Sequence, residues 1–384
     1  MTPRLRLLRS RRVGPTTFHK LINEHGSATA ALEALPHVAR AAGVSDYQIC
    51  PERVVEAELA AGHKFGATLV AYDDPAYPAL LTDLDDAPPL LWMKGDLSLA
   101  ERPMLSIVGA RNASSLGLRF ARTLAADLGE EGFGIVSGLA RGIDAAAHEG
   151  ALESGTVAVL AGGIDNIYPK ENTEIYHRIA ETGILISEQP LGMKPFARHF
   201  PMRNRIVSGL SRATIVIEAA AKSGSLLTAG NALDQGREVM AVPGHPFDGR
   251  ASGCNVLIRD GATLIRGARD VLDALASSAP EITAHPAQQM QMPLSPPKPT
   301  VRDRSETRTA PRVTIPPSPP QTRSLSEHAA LHAEILSRLS TTALPEDALI
   351  RDLDAPKDLV SAELLTLELS GRISRKSGGL LALS

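Results

Sequence analysis

Between residues 103 and 265 the chain repeats one unit. A short run rich in Ile, Val and Leu is followed by a turn of small residues and then by ten to twenty residues of helical pattern. The runs fall at 104–108, 133–137, 156–161, 184–187, 213–218, 238–242 and 263–265. Their apolar residues are continuous rather than alternating, as in strands covered on both faces. Alternation with helices requires right-handed crossovers and hence a parallel, doubly wound α/β sheet. Ligands of such sheets bind outside the carboxyl ends of the strands, where the turns gather. The turn residues are therefore the ones to question.

The first turn holds Gly109, Ala110 and Arg111, the second Ser137, Gly138, Asp144 and His148, and the third Gly162, Gly163 and Lys170. The turn after the fifth run holds Gly224, Ser225 and Thr228. No G-x-G-x-x-G or G-x-x-x-x-G-K-[ST] pattern occurs, which argues against NAD or ATP in their usual poses. A small-residue turn opening a helix nonetheless favours an anion, and Arg111 stands beside the first one. Asp144 and His148 are four apart, so on a helix they share a face. With no nucleophile indicated, they read as a structural pair rather than as a catalytic acid and base. Many N–H donors with few catalytic groups suit holding phosphates rather than breaking bonds.

Charge points to which phosphates. The formal net charge is −3 and aromatics make up only 3% of residues, so composition alone disfavours a nucleic-acid partner and a base-stacking platform. The charge is unevenly spread. Between Gln189 and Ile217 lie Lys194, Arg198, Arg203, Arg205 and Arg212 and no acidic residue, with Phe196, His199 and Phe200 interleaved. Arginine grips phosphate with a planar, permanently charged fork. Asn204, between two of these arginines, can orient a base edge.

The remaining organisation is coarser. Up to about residue 62 the apolar spacing is helical, and Gly14-Pro15 reads as a turn opening a helix. A helix-hairpin-helix that holds a DNA phosphate and a plain packing module both fit this stretch. Residues 63–100 read as a connecting segment with short strands. Eleven of the 28 prolines fall between Pro280 and Pro320 with no aromatic residue among them, a composition for a disordered linker over 276–325. The tail, 326–384, reads as three helices (329–339, 345–353, 359–369) and a hairpin with its wing at 376–379, a winged-helix pattern. Its third helix carries Glu363 and Glu368 and no basic residue, which favours protein contact over reading of DNA. No apolar run approaches the ~18–20 residues of a membrane span, no secretory leader is evident, and Cys50 and Cys254 stand alone. These features lead us to expect a soluble protein of the reducing cytoplasm, without a membrane association, a metal site or a cofactor.

Taken in order, these motifs resemble the DNA-processing protein A (DprA/Smf) family. The resemblance runs from about Tyr77 to Ile265. It rests on Gly109-Ala110-Arg111, on Ser137-Gly138-Leu139-Ala140-Arg141-Gly142-Ile143-Asp144 with His148, and on Tyr168-Pro169-Lys170-Glu171-Asn172. It continues through Phe200-Pro201-Met202-Arg203-Asn204-Arg205, Gly224-Ser225-Leu226-Leu227-Thr228, Val242-Pro243-Gly244 and Gly253-Cys254-Asn255. It implies an extended Rossmann-like, mostly parallel sheet, with an N-terminal sterile-alpha-motif-like or helix-hairpin-helix domain and a C-terminal winged helix. It further implies a non-enzymatic protein that binds single-stranded DNA, protects it and helps load the RecA recombinase during natural transformation, as a homodimer through the Rossmann-like domain. The DNA backbone would lie in a basic pocket of Arg111, Lys170, Arg203, Asn204 and Arg205. The turns at Gly109, Ser137-Gly138 and Gly224-Ser225, together with Thr228, would support it. The apolar stretch 256–265 is a candidate dimer contact. The alternative, a nucleotide-binding enzyme of the phosphoribohydrolase type, resembles a Pro-Gly-Gly-x-Gly-Thr-x-x-Glu signature. The nearest stretch here, 223–228, lacks its Gly-Gly and its Glu.

Overall fold

The computed structural model describes residues 1–278 and, beyond them, 335, 337, 344–345, 349, 353, 360, 364, 367, 373–376 and 380–383. Four helices open the chain: α1 (Thr2–Leu8), α2 (Pro15–His25), α3 (Ala28–Ala41) and α4 (Glu52–Phe65). Pro15 stands in the first turn of α2, where its missing N–H costs nothing, and Gly26 ends that helix in the left-handed region. Leu5, Phe18, Leu21, Leu32, Leu35 and Val55 form the core of this part, which continues onto Ala71 and Leu90 of the sheet.

The sheet has nine strands. Seven are the apolar runs: β3 (Met104–Gly109), β4 (Gly134–Ser137), β5 (Thr156–Leu160), β6 (Ile184–Ser187), β7 (Ala213–Ile217), β8 (Glu238–Ala241) and β9 (Thr263–Leu264). They pair in parallel. The other two come from the connecting segment: β1 (Thr68–Ala71) and β2 (Leu90–Gly95) extend the sheet antiparallel beside β6, with Trp92 opposite Ser187. The order is β1-β2-β6-β5-β4-β3-β7-β8-β9. The chain thus runs from β3 outward to β6 and then returns to the other side of β3. This reversal places the topological switch point, where open α/β sheets take ligands, between β3 and β7.

Helices cover both faces. α5 (Ser115–Glu130), α6 (Ile143–Gly150) and α11 (Ala268–Ser278) pack over Leu105, Ile107, Ile135 and Ile215. On the opposite face α8 (His199–Gly209), α9 (Gly224–Asp234) and α10 (Ser252–Arg259) bury Ile206, Val207, Ala229 and Cys254 against Val108, Val136 and Val216. The seventh helix, α7 (Thr173–Thr182), packs Tyr176 and Ile179 beside Trp92 and Leu185. The continuous apolar runs follow from this double cover.

The tail forms a unit of its own from Gln288 on. Its described strands β10 (Leu344–Pro345), β11 (Ile373–Lys376) and β12 (Leu380–Leu383) make an antiparallel sheet in the order β10-β12-β11. Ile335, Leu349, Val360, Leu364 and Leu367, helical as expected, gather with Leu353, Ile373 and Leu381 in one core. Two expectations need correcting. Pro345 belongs to a strand rather than opening the second helix, consistent with a proline at a sheet edge. Lys376, placed in the wing from sequence, is likewise a strand residue paired with Leu380. Of residues 276–325, read as linker, 276–278 instead close α11, and the rest lie outside the described residues.

Candidate nucleic-acid interface

A groove lies across the carboxyl ends of the central strands and divides into two lobes of about 840 and 790 Å³. Arg111, Gly138, Ala140 and Phe200 line both. The first lobe adds Arg141, Lys170 and Lys194 against one acidic residue, Glu171. The second adds Arg203, Lys222 and Arg250 against one, Asp144. Four basic residues to one acidic in each lobe make a local field that the net charge of −3 conceals.

Between the lobes the Arg111 guanidinium lies 5.1 Å over the Phe200 ring, and Tyr168 packs against that ring at 5.8 Å between centroids. Such cation–π contact holds an exposed arginine in place without neutralising it. Arg111 and Lys170 are both exposed, and neither belongs to any ion pair among the described residues. Asn204 also lies in the groove, where its amide donates to the Gly224 carbonyl at 3.4 Å and bridges α8 to α9. Gly109, Gly224, Ser225 and Thr228 line the second lobe, as the turn positions suggested. Ser223 caps α9 by accepting from the Ser225 amide.

Other expected members turn inward. Ser137 is fully buried and donates its hydroxyl to the Ile107 carbonyl at 2.6 Å, so it presents nothing to the groove. The Gly138 and Ala140 amides donate to Asp144 at 3.2 and 3.3 Å. Arg203 forms floor rather than rim. It is 6% exposed, and its guanidinium donates to the Val159 carbonyl at 2.8 Å directly beneath the Gly138 turn. Burial pushes its pKa down to about 10 despite nearby Asp144. Burial also pushes the Asp144 carboxyl up, against the pull of Arg203 and of the two amides.

Arg205 lines neither lobe. It points away and pairs with Glu188 at 2.7 Å and Asp86 at 3.2 Å. The anion position at the head of α5 is also filled from within. The Glu218 carboxylate accepts from the Ser114 amide at 2.8 Å and from the Ser114 hydroxyl, and Gly117 leaves room for it, since a Cβ there would stand 2.6 Å from the carboxylate carbon. The helix start that seemed open to a phosphate holds a carboxylate of the chain itself.

The expected Asp144–His148 pair does not form. Asp144 serves the two amides, and His148, fully buried, meets the Thr156 hydroxyl through Nδ1 at 2.7 Å. Its Nε2 has no partner, and burial pushes its pKa down to about 3. The unfolded chain therefore takes up a proton between pH 6.5 and about 3 that the folded chain does not. Stability should fall as pH drops through this window, by up to about 1.4 kcal/mol per unit from this group. His148→Gln should flatten the dependence of the urea midpoint on pH between about 6.5 and 5. An unchanged profile would contradict a buried neutral imidazole.

Sequence reasoning also passed over groove residues. Arg141 sits in a quoted turn and Lys222 directly before one, where a sharper reading of the basic side chains would have found them. Arg250 enters from the loop after β8 with no local signal, its guanidinium paired to Asp248 at 3.0 Å. Among the described residues no group of three or more His, Cys, Asp or Glu could hold a metal ion, and no helix is long and apolar enough to cross a membrane.

A model of the DNA recombination-mediator protein A family matches residues 68–276, the region that builds the sheet and groove. The chain belongs to the DprA/Smf family. Models of a DprA-like N-terminal HHH domain and of a DprA winged helix domain match residues 1–61 and 317–379. Protein Smf of Escherichia coli is 33% identical over 342 residues, 87% of this chain and 82% of that protein. DNA processing protein DprA of Bacillus subtilis is 43% identical over 220 residues, 56% of this chain and 74% of that protein. The X-ray structure of DprA from Streptococcus pneumoniae superposes with a TM-score of 0.58 at 34% identity, covering 68% of this chain and 98% of that one. The Helicobacter pylori family member, whose structure was studied for its unique single-stranded DNA binding mode, superposes with a TM-score of 0.51 at 30% identity. It covers 55% of this chain and 96% of that one. As a DprA/Smf member the chain has a DNA-processing role.

Proposed function

We propose that this family member binds the backbone of single-stranded DNA in the two-lobed groove, protects the strand and helps load a RecA-type recombinase onto it. The proposed homodimer forms through the Rossmann-like domain, with half-exposed Val256 and Leu264 as contact candidates. The observation that carries the reading is the convergence of Arg111, Lys170, Lys194 and Lys222 from separate turns onto one groove at the strand ends. Asn204, Gly224, Ser225 and Thr228 are the proposed polar contacts beside them. Arg203 supports this surface from below, and Arg205 is not counted among the DNA contacts. The protein of this reading acts without turnover. Residues 223–228 at the head of α9 lack the Gly-Gly and the Glu of the phosphoribohydrolase signature, which weighs against that alternative.

Phosphate-driven binding to single strands loses about 0.7 in log affinity per log salt for each phosphate neutralised. With three or four contacts, affinity for a labelled oligothymidine should drop about 30-fold between 50 and 200 mM salt. Fluorescence anisotropy across salt checks this. A salt-independent affinity would remove the groove as the site. Loading is read separately, as a shortened lag in recombinase filament formation when this protein is present.

A further inference from the structure

Behind the groove lies a buried chain of charges that contact with DNA leaves unused. Arg205 donates to the Glu188 carboxylate at 2.7 Å, and both side chains are about nine-tenths buried. The Glu188 carbonyl faces Arg9 at 3.5 Å, and Arg9 grips Glu58 through two hydrogen bonds of 2.9 and 2.8 Å. Glu58 also accepts from the indole of Trp92 at 2.9 Å. The chain of contacts runs from α8, through the end of β6, to α1 and α4 of the N-terminal helical part. A buried ion pair is a poor source of net stability, because desolvation offsets most of its attraction. What it does supply is a fixed geometry.

That geometry belongs to the groove. Glu188 opens the segment that carries Lys194 into the first lobe, and that segment is pinned further on, where the Gly163 amide donates to the Met193 carbonyl at 2.8 Å. Arg205 directly follows Asn204 on α8, whose first turn bears Phe200, the ring beneath Arg111. One pair thus ties together the two elements that carry Lys194 and Phe200.

We infer that Arg205 is a positioning residue that, through Glu188 and Arg9, locks the groove's α8 edge to the N-terminal helical domain and makes DNA affinity depend on that domain. The inference rests on the groove being the DNA site. A phosphate-contacting arginine and a positioning arginine respond oppositely when the partner carboxylate is neutralised. Released from Glu188 and left with half-exposed Asp86 alone, a contacting arginine would bind DNA better. A positioning arginine loses its anchor.

The test uses the full-length protein, oligothymidine anisotropy across salt, and urea melts. Glu188→Gln and Arg205→Met should each weaken binding about fivefold or more, with the salt slope unchanged, and the double variant should be no worse than either single one. Arg205→Lys, which keeps the charge, should recover part of the loss. Arg9→Met, outside both lobes, should reproduce the weakening in a folded protein. Urea melts check that each variant is folded, and where Arg205→Met is not, the sign of the change in Glu188→Gln decides. Unchanged or tighter binding by Glu188→Gln, or a slope about 0.7 shallower in Arg205→Met, overturns the positioning role. Unchanged binding by Arg9→Met overturns the link to the N-terminal domain. If Arg111→Ala also leaves binding intact, the groove reading has failed instead.

Discussion

Alanine at both Arg111 and Lys170 should lower affinity for single-stranded DNA about 30- to 100-fold and make the salt slope shallower by about 1.4, two phosphate contacts' worth. The pair is chosen on geometry. Arg111 is the basic side chain that lines both lobes, and Phe200 holds it there at 5.1 Å. Lys170 stands exposed on the first lobe. Neither has a carboxylate partner among the described residues, so each charge is available to a ligand. Arg141 lies close by but faces Glu171 at 3.9 Å, and its removal should matter less. Both replaced side chains are exposed, so urea unfolding should stay within about 0.5 kcal/mol of the parent. A folded double variant with unchanged affinity and slope would move the DNA site elsewhere on the molecule.

Much of this site was legible because its architecture follows from local pattern. Continuous apolar runs gave seven strands, and parallel pairing fixed which turns share a rim. What failed was the direction of single side chains. Arg203 and Arg205 are two apart on α8, and helix positions two apart do not face one another, so they could not both have lined one groove. Asp144 and His148 satisfy the four-residue spacing, yet spacing permits contact without compelling it. At the start of α6 the backbone amides compete for the carboxylate, and Thr156 from the next strand claims the ring. β2 carries no signal that it would join the sheet antiparallel, because its pairing with β6 is set by residues about a hundred positions away, and β1 joins the sheet through β2. Glu218 was hidden for the same reason: its partners lie at Ser114, across the switch point.

Gly138→Ala should be strongly damaging although it adds a single methyl group at the groove. A Cβ at this position would stand 1.6 Å from Arg203 Nη1 and 2.2 Å from its Cζ, so one of the two must move. Arg203 is not a flexible surface tip. Leaving would break its hydrogen bond to the Val159 carbonyl and strand a guanidinium that is already buried with an unpartnered Nε. Shifting the turn instead would pull the Gly138 and Ala140 amides off Asp144 and reshape the lining common to both lobes. Overpacking costs about 1–3 kcal/mol and disrupting a buried charge about 3–5, so we expect a loss near 3 kcal/mol in urea unfolding. Gly224→Ala is the control: no heavy atom lies within 4 Å of its Cβ, and stability should hardly change. If the clash with Arg203 is the cause, Arg203→Met should absorb much of the damage, and the double variant should be more stable than the two single losses added together. Strict additivity would mean that the turn, and not the arginine beneath it, rejects the methyl group.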